Sequence, residues 1–198
     1  MITLIIERLS LPGNPAVYAL LETILLFLTV LITGFLISLI NRVITDALSG
    51  LIGSVPAFIL RNYLTYPGTV HHELSHALLA LVTGARVKKI VLFPKGNTLG
   101  SVEIEPRGNF FIKALQLSLS AIAPVIMGVI SLYSLWNLVL PKAGEIWQYI
   151  LFWYVFVSII FHMSLSGADY RNFFKGLLPS LIVFFLIFLI LGSFGIRF

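Results

Sequence analysis

Cysteine is absent from the 198 residues, and charge is scarce, with 11% of the chain being Asp, Glu, Lys or Arg. The first absence excludes disulfides and any thiolate metal site, so a metal centre must draw on His, Asp or Glu. The second excludes an ordinary soluble domain, in which roughly a quarter of residues are charged. Acidic groups are rarer still: eight stand against thirteen basic ones, for a net charge of +5. A basic balance can signal nucleic acid, but here the basic residues gather in particular short loops, which is the pattern of membrane topology; no nucleic-acid partner is expected. Internal repeats and low-complexity tracts are also missing. Residues 1–16 lack a basic segment before an apolar core and a small-residue cleavage site, so the first long apolar run is expected to be a retained span.

What fills the chain is apolar surface: 59% hydrophobic residues and a mean hydropathy of +1.02. Runs of about twenty apolar residues match the thickness of a bilayer. The expected fold is therefore an all-α polytopic membrane protein, one integral membrane domain over residues 1–198, multi-pass in the cell membrane. It has about five transmembrane helices and a small β-hairpin between the second and third. Met1 to Ala16 reads as an amphiphilic lead with a Pro12-Gly13-Asn14-Pro15 turn, and Val17 to Ile40 as the first span. Glu22, near the start of that span, is placed to reach the headgroups. Leu51 to Leu60 is too short to cross alone and reads as a re-entrant piece or part of a broken helix. Pro67 opens a helix that runs to Val82, with Gly84 as its stop. Phe110 to Leu140 is helical with Pro124 inside it, which implies a kink or local opening. Trp147 to Leu165 and Leu177 to Phe194 supply the last spans.

Between Arg86 and Glu105 the pattern changes. Val87, Ile90, Val91, Leu92 and Phe93 are β-prone, Pro94-Lys95-Gly96-Asn97 is a turn, and Leu99 to Ile104 resumes alternation, so a hairpin with a longer loop is expected. If the spans alternate and the 51–83 region crosses once, the N-terminus, the hairpin segment and the 169–176 loop share one face of the membrane. Eight basic residues lie on that side (Arg8, Arg86, Lys88, Lys89, Lys95, Arg107, Arg171, Lys175) and four on the other (Arg42, Arg61, Lys142, Arg197), which makes the hairpin side cytoplasmic.

Set in this apolar background is His72-Glu73-Leu74-Ser75-His76. On a helix, His72 and His76 sit one turn apart on the same face and can reach one metal ion, while Glu73 beside them can serve as a general base toward water. Ionisable groups at membrane depth are costly and mark function. Catalytic zinc takes three protein ligands, so a third must come from elsewhere. The candidates are His71, Glu103, Glu105, Glu145, His162 and Asp169. His71 points about 100° away from His72 on a helix. Glu145 falls on the far side of the membrane, and Glu103 and Glu105 decorate the exposed face of the hairpin. Asp169 closes a span on the cytoplasmic side after the loose Ser164-Leu165-Ser166-Gly167-Ala168 stretch, and is the preferred ligand. His162 lies two turns before it, and its neutral ring could donate a hydrogen bond to an oxyanion or simply bond a neighbouring carbonyl.

The stretch Tyr66-Pro67-Gly68-Thr69-Val70-His71-His72-Glu73-Leu74-Ser75-His76-Ala77, the following Gly84-Ala85 and hairpin, and Asp169 after a span resemble the site-2 protease family of intramembrane zinc metalloproteases, over about residues 64–176. That resemblance implies one zinc ion held by His72, His76 and Asp169, with Glu73 as catalytic base. Two departures stand out. The family's aspartate sits in Leu-Asp-Gly with an asparagine upstream, whereas here it is Ala168-Asp169-Tyr170 with His162 near the asparagine's place. The family's middle helix carries Gly-Pro and then asparagine, whereas here Ala123-Pro124 has no asparagine nearby. The oxyanion donor and the substrate-clamping surface are left open, and no inserted PDZ-like or nucleotide-binding module is present. The expected activity is hydrolysis of peptide bonds in or near transmembrane segments, with His162 as a second candidate catalytic residue and a membrane-protein or peptide substrate in the bilayer. The alternative is a non-proteolytic membrane protein that binds or carries a divalent metal; a structural scaffold comes third.

Overall fold

The structure is a computed structural model that describes residues 14–93 and 100–196. The lead before Asn14, the hairpin turn at 94–97 and Arg197 lie outside the described residues. Asn14 caps the first helix through its side chain, Pro15 fits the first turn, and α1 runs Pro15–Ile52. Thirty-eight residues rise about 57 Å, far more than the hydrocarbon of a bilayer requires. The helix thus continues twelve residues beyond the expected end at Ile40. It can do so because the polar groups that follow, Asn41, Arg42, Thr45, Asp46 and Ser49, recur at helical spacing and leave the backbone pattern unbroken.

Gly53, at φ 88°, ends α1, and α2 (Ser54–Leu64) follows, so the short apolar piece is a helix of its own. Helix α3, Tyr66–Val82, carries the histidine pair. Its stop is built as the sequence implies: Gly84 takes φ 85° and the Ala85 N–H donates to the Ala80 carbonyl at 2.8 Å. Strands β1 (Arg86–Val91) and β2 (Ser101–Glu105) then pair antiparallel, Arg86 opposite Glu105 and Val91 opposite Ser101, with a register shift between Val87 and Lys89.

Helix α4, Phe110–Ser134, passes through Pro124 without a break and is prolonged by a π turn (Leu135–Val139) and a 3-10 turn (Leu140–Lys142). Helix α5 (Ile146–His162) and α6 (Gly167–Lys175) meet at 60°, and α7 is Leu177–Ser193. Two of these segments are long and apolar enough to cross a membrane, Pro15–Ile52 and Phe110–Lys142; the bent α5–α6 pair makes a third if taken as one span, and α7 is a shorter apolar helix. The described residues thus form a mainly helical, membrane-type fold with one two-stranded antiparallel sheet between α3 and α4.

The core gathers Phe27 and Val30 of α1, Ala121, Ile122 and Val125 of α4, Ile159 of α5, and Phe173 of α6 with Met163 and Leu165 from the break. In lipid, burying apolar groups gives helices little reason to associate, so close backbone approach matters more. Gly68 supplies it between α3 and α5, where a β-carbon would lie 2.0 Å from the Ser158 carbonyl oxygen. Glu22 corrects the sequence reading: it is 3% exposed, turned into the bundle rather than toward headgroups. Elsewhere α1 presents Leu28, Phe35, Leu36 and Leu39 outward, as a lipid-facing helix does.

Candidate metal centre

Helix α3 lies against α4 and α5, and both neighbours reach its histidines through main-chain oxygens. His72 Nδ1 is 2.6 Å from the carbonyl oxygen of His162, and His76 Nδ1 is 2.7 Å from that of Ser120. A carbonyl only accepts, so each ring carries its proton on Nδ1 and turns the Nε2 lone pair inward. The Ser120 oxygen is free to accept because Pro124, four residues on, has no N–H to give it. Ser120 also donates its hydroxyl to the His76 carbonyl at 2.9 Å, closing a two-way link between α3 and α4.

Asp169 comes from the first turn of α6, not from the end of a span. Helix α5 stops at His162, and Ser166 caps a new helix: Ser166 Oγ accepts from the Asp169 N–H at 3.2 Å, while Asp169 Oδ2 accepts from the Ser166 N–H at 2.7 Å. With one carboxylate oxygen tied to the cap, the other is aimed at the histidines, and Asp169 Oδ1 stands 3.5 Å from His76 Nε2. The two Nε2 atoms are 3.0 Å apart, and all three ligand atoms lie within 4.8 Å of one another.

Three electron-rich atoms converging with no proton between them repel, and a cation at their centre turns that repulsion into binding. Ligand atoms about 2.0–2.1 Å from a tetrahedral zinc stand about 3.3 Å apart, and the observed 3.0 and 3.5 Å fall on either side. His72, His76 and Asp169 could therefore hold a metal ion, and among the described residues no other such group is found.

The trio opens into a cavity of about 640 Å³ whose wall includes Glu73, Thr69, His162 and Asn172. Glu73 is 8% exposed, and Gly100, just before β2, sits over it so closely that a β-carbon there would lie 2.7 Å from Glu73 Cγ. Residues 100–104 all line the cavity. Side chains of a strand alternate faces, so an unbroken run of lining residues means that the edge of β2 opposite β1 faces the metal site. Glu103 contributes to this wall although exposed, while Glu105 pairs with Lys88 at 3.5 Å.

The remaining candidates are held elsewhere. His71 faces α4, its Nε2 2.9 Å from Ser131 Oγ, and Glu145 caps α5. His162 lines the cavity, but both ring nitrogens are engaged: Nδ1 with the Ser158 carbonyl at 3.0 Å and Nε2 with Thr69 Oγ1 at 3.0 Å. Since Nδ1 donates to a carbonyl, the neutral ring offers Nε2 only as an acceptor for the Thr69 hydroxyl. Because α5 ends there, His162 and Asp169 do not share a helical face.

Sequence reasoning missed the Ser166-x-x-Asp169 capping pattern, which was legible, and the supporting carbonyls of Ser120 and His162, which carry no sequence signal. It also missed Arg61, which lines the cavity. Comparison with protein-family models, curated proteins and solved structures finds no match to this chain.

Proposed function

We infer that this protein is an intramembrane zinc metalloendopeptidase of site-2 protease type, hydrolysing peptide bonds in or near transmembrane segments of membrane proteins. The observation that carries the reading is the convergence of the His72 and His76 lone pairs with an Asp169 oxygen in a cavity that also holds the Glu73 carboxylate. In this reading α1, α3, α4, the α5–α6 pair and α7 are the five spans, and the hairpin side is cytoplasmic.

His72, His76 and Asp169 would hold the zinc, which when bound would supply Lewis acidity toward a carbonyl and acidify water. Glu73 accepts the proton of the attacking water and passes it to the leaving amine. His162 positions His72 through its main-chain oxygen and holds Thr69 through its ring. A peptide bond inside a helix is shielded, since its carbonyl is already hydrogen-bonded. The free edge of β2 can receive an unwound segment by strand addition, presenting it beside Glu73. A carrier of divalent metal has no use for a carboxylate in the position of Glu73.

The deciding experiment is Glu73→Gln in the full chain reconstituted in liposomes. Cleavage of a transmembrane substrate falls by at least about a hundredfold while one zinc per chain is retained. Full cleavage by the variant refutes Glu73 as base, and wild-type protein that binds zinc yet cleaves nothing favours the carrier.

A further inference from the structure

Arg61, in the last turn of α2, stands where two cavities meet. It lines the 640 Å³ cavity of the metal centre and also a smaller one of about 310 Å³; Ser164 is the other residue common to both. The rest of the smaller wall is a polar stripe of α1: Ser38, Asn41, Arg42, Thr45 and Asp46, at successive spacings of three, one, three and one along one helical face. A polar stripe is foreign to a helix facing lipid, and it forms a groove along which hydrated groups can reach the site.

Two groups in this groove keep hydrogen-bonding capacity unused among the described residues. The Arg61 guanidinium has five N–H donors, yet its one hydrogen bond among the described residues runs from Nη1 to Thr45 Oγ1 at 3.0 Å. Thr45 gives its own hydroxyl proton to the Asn41 carbonyl at 2.7 Å, so it holds the guanidinium without neutralising it. No carboxylate among the described residues pairs with Arg61, although Asp46 lines the same groove. Arg42 adds a second positive charge there. Asn41 is 3% exposed and donates Nδ2 to the Phe161 carbonyl at 2.6 Å, which leaves Oδ1 buried with no donor among the described residues. A guanidinium with spare donors lining a cavity inside a membrane is costly unless water or a ligand completes it.

We propose that Arg61 anchors a recognition site for a peptide carboxylate where the two cavities meet, its guanidinium taking the carboxylate. This deepens, and rests on, the protease reading: the substrate class becomes peptides that carry a carboxylate into the cavity. A chain terminus and an acidic side chain both present that chemistry. Arg suits the task because its planar fork matches a carboxylate in two parallel hydrogen bonds.

The test scores binding, not turnover. Full-length zinc-loaded Glu73→Gln protein, with Arg61 intact or changed to Gln or Lys, is titrated by fluorescence anisotropy with labelled Leu/Ala peptides in matched forms. One has a free C-terminal acid, one an internal Asp with an amidated end, and one is amidated with Asn in place of Asp. With Arg61 intact, an acidic form binds about tenfold more tightly than the neutral one, the lower end for a charge-assisted hydrogen bond. Arg61→Gln removes that preference and Arg61→Lys restores part of it. Preference for the free acid alone identifies the terminus, and preference for the Asp form alone identifies a side chain. Equal affinity for acidic and neutral peptides, a preference that survives Arg61→Gln, or a loss that is the same for all three overturns the proposal. Arg61-dependent binding by a protein that cleaves no substrate removes the protease reading alone, and cleavage without the preference removes this proposal alone.

Discussion

His76 Nδ1 lies 2.7 Å from the main-chain oxygen of Ser120, an oxygen that the α4 helix itself cannot use. Pro124 would supply its helical partner and has no N–H. Proline inside a membrane helix is tolerated where another group satisfies the freed carbonyl, and here that group is a histidine of the candidate metal centre. Pro124→Ala restores the N–H, which then competes for the Ser120 oxygen. Zinc affinity, measured by competition with a chelating dye, is expected to fall about tenfold with helix content unchanged. Unaltered affinity would show that the carbonyl does not orient His76.

Asp169 and His162 separate by metal content. Asp169→Ala removes a candidate ligand and half of the capping box on α6; zinc affinity is expected to drop more than about a hundredfold. His162→Ala leaves the main-chain oxygen that holds His72 in place, so the purified variant keeps zinc near one per chain. Elemental analysis of the detergent-purified pair checks both. Zinc loss in the His162 variant alone would overturn the ligand assignment.

Gly100 is the point at which the hairpin touches the candidate base. A β-carbon there would lie 2.7 Å from Cγ and 2.9 Å from Oε1 of Glu73, so Gly100→Ala has to displace either the carboxylate or the strand. The expected result is at least about a tenfold loss of kcat with zinc retained, in keeping with the sensitivity of catalysis to small misplacements. A variant with wild-type kcat would mean that the hairpin stands clear of Glu73 during turnover.

Gly68 and Gly50 form a contrast within one chain. At Gly68 a β-carbon would meet the Ser158 carbonyl oxygen at 2.0 Å and His162 Nδ1 at 2.4 Å, whereas at Gly50 it would meet nothing within 4 Å. Gly68→Ala is expected to cost about 1–3 kcal/mol by forcing α3 from α5. Gly50→Ala, in the last turns of α1, is expected to be neutral or to gain up to about 1 kcal/mol from helix propensity. Unfolding in mixed micelles with increasing SDS compares the two, and equal effects would refute close α3–α5 contact.

Much of the site was legible because its determinants are local. Pro67 and Gly84 bracket α3, the one-turn spacing of His72 and His76 puts both on one face, and the β-prone runs on either side of residues 94–97 make the hairpin. These rest on backbone preferences and periods of 3.6 and 2, which neighbouring residues set by themselves. The length of α1 was not legible, since a hydropathy window reads the groove-lining Asn41, Arg42, Thr45 and Asp46 as an end, although they occupy only one stripe of a continuing helix. The stop of α5 at His162 was also missed, because its apolar pattern runs on to Leu165.

The sequence by itself determined an apolar helical chain, the pairing of two imidazoles with a carboxylate beside them, and a short set of acids and histidines from which a third ligand could come. Only the tertiary structure decided that Asp169 is the acid that meets them, that His162 spends both ring nitrogens on Ser158 and Thr69, and that Arg61 shares their cavity. The reason is physical. Which side chains share a helix face follows from bonds a few residues apart, whereas which lone pairs meet across α3, α4 and α6 depends on how closely those helices approach, on glycine contacts, on a proline that frees a carbonyl and on a cap that turns a carboxylate.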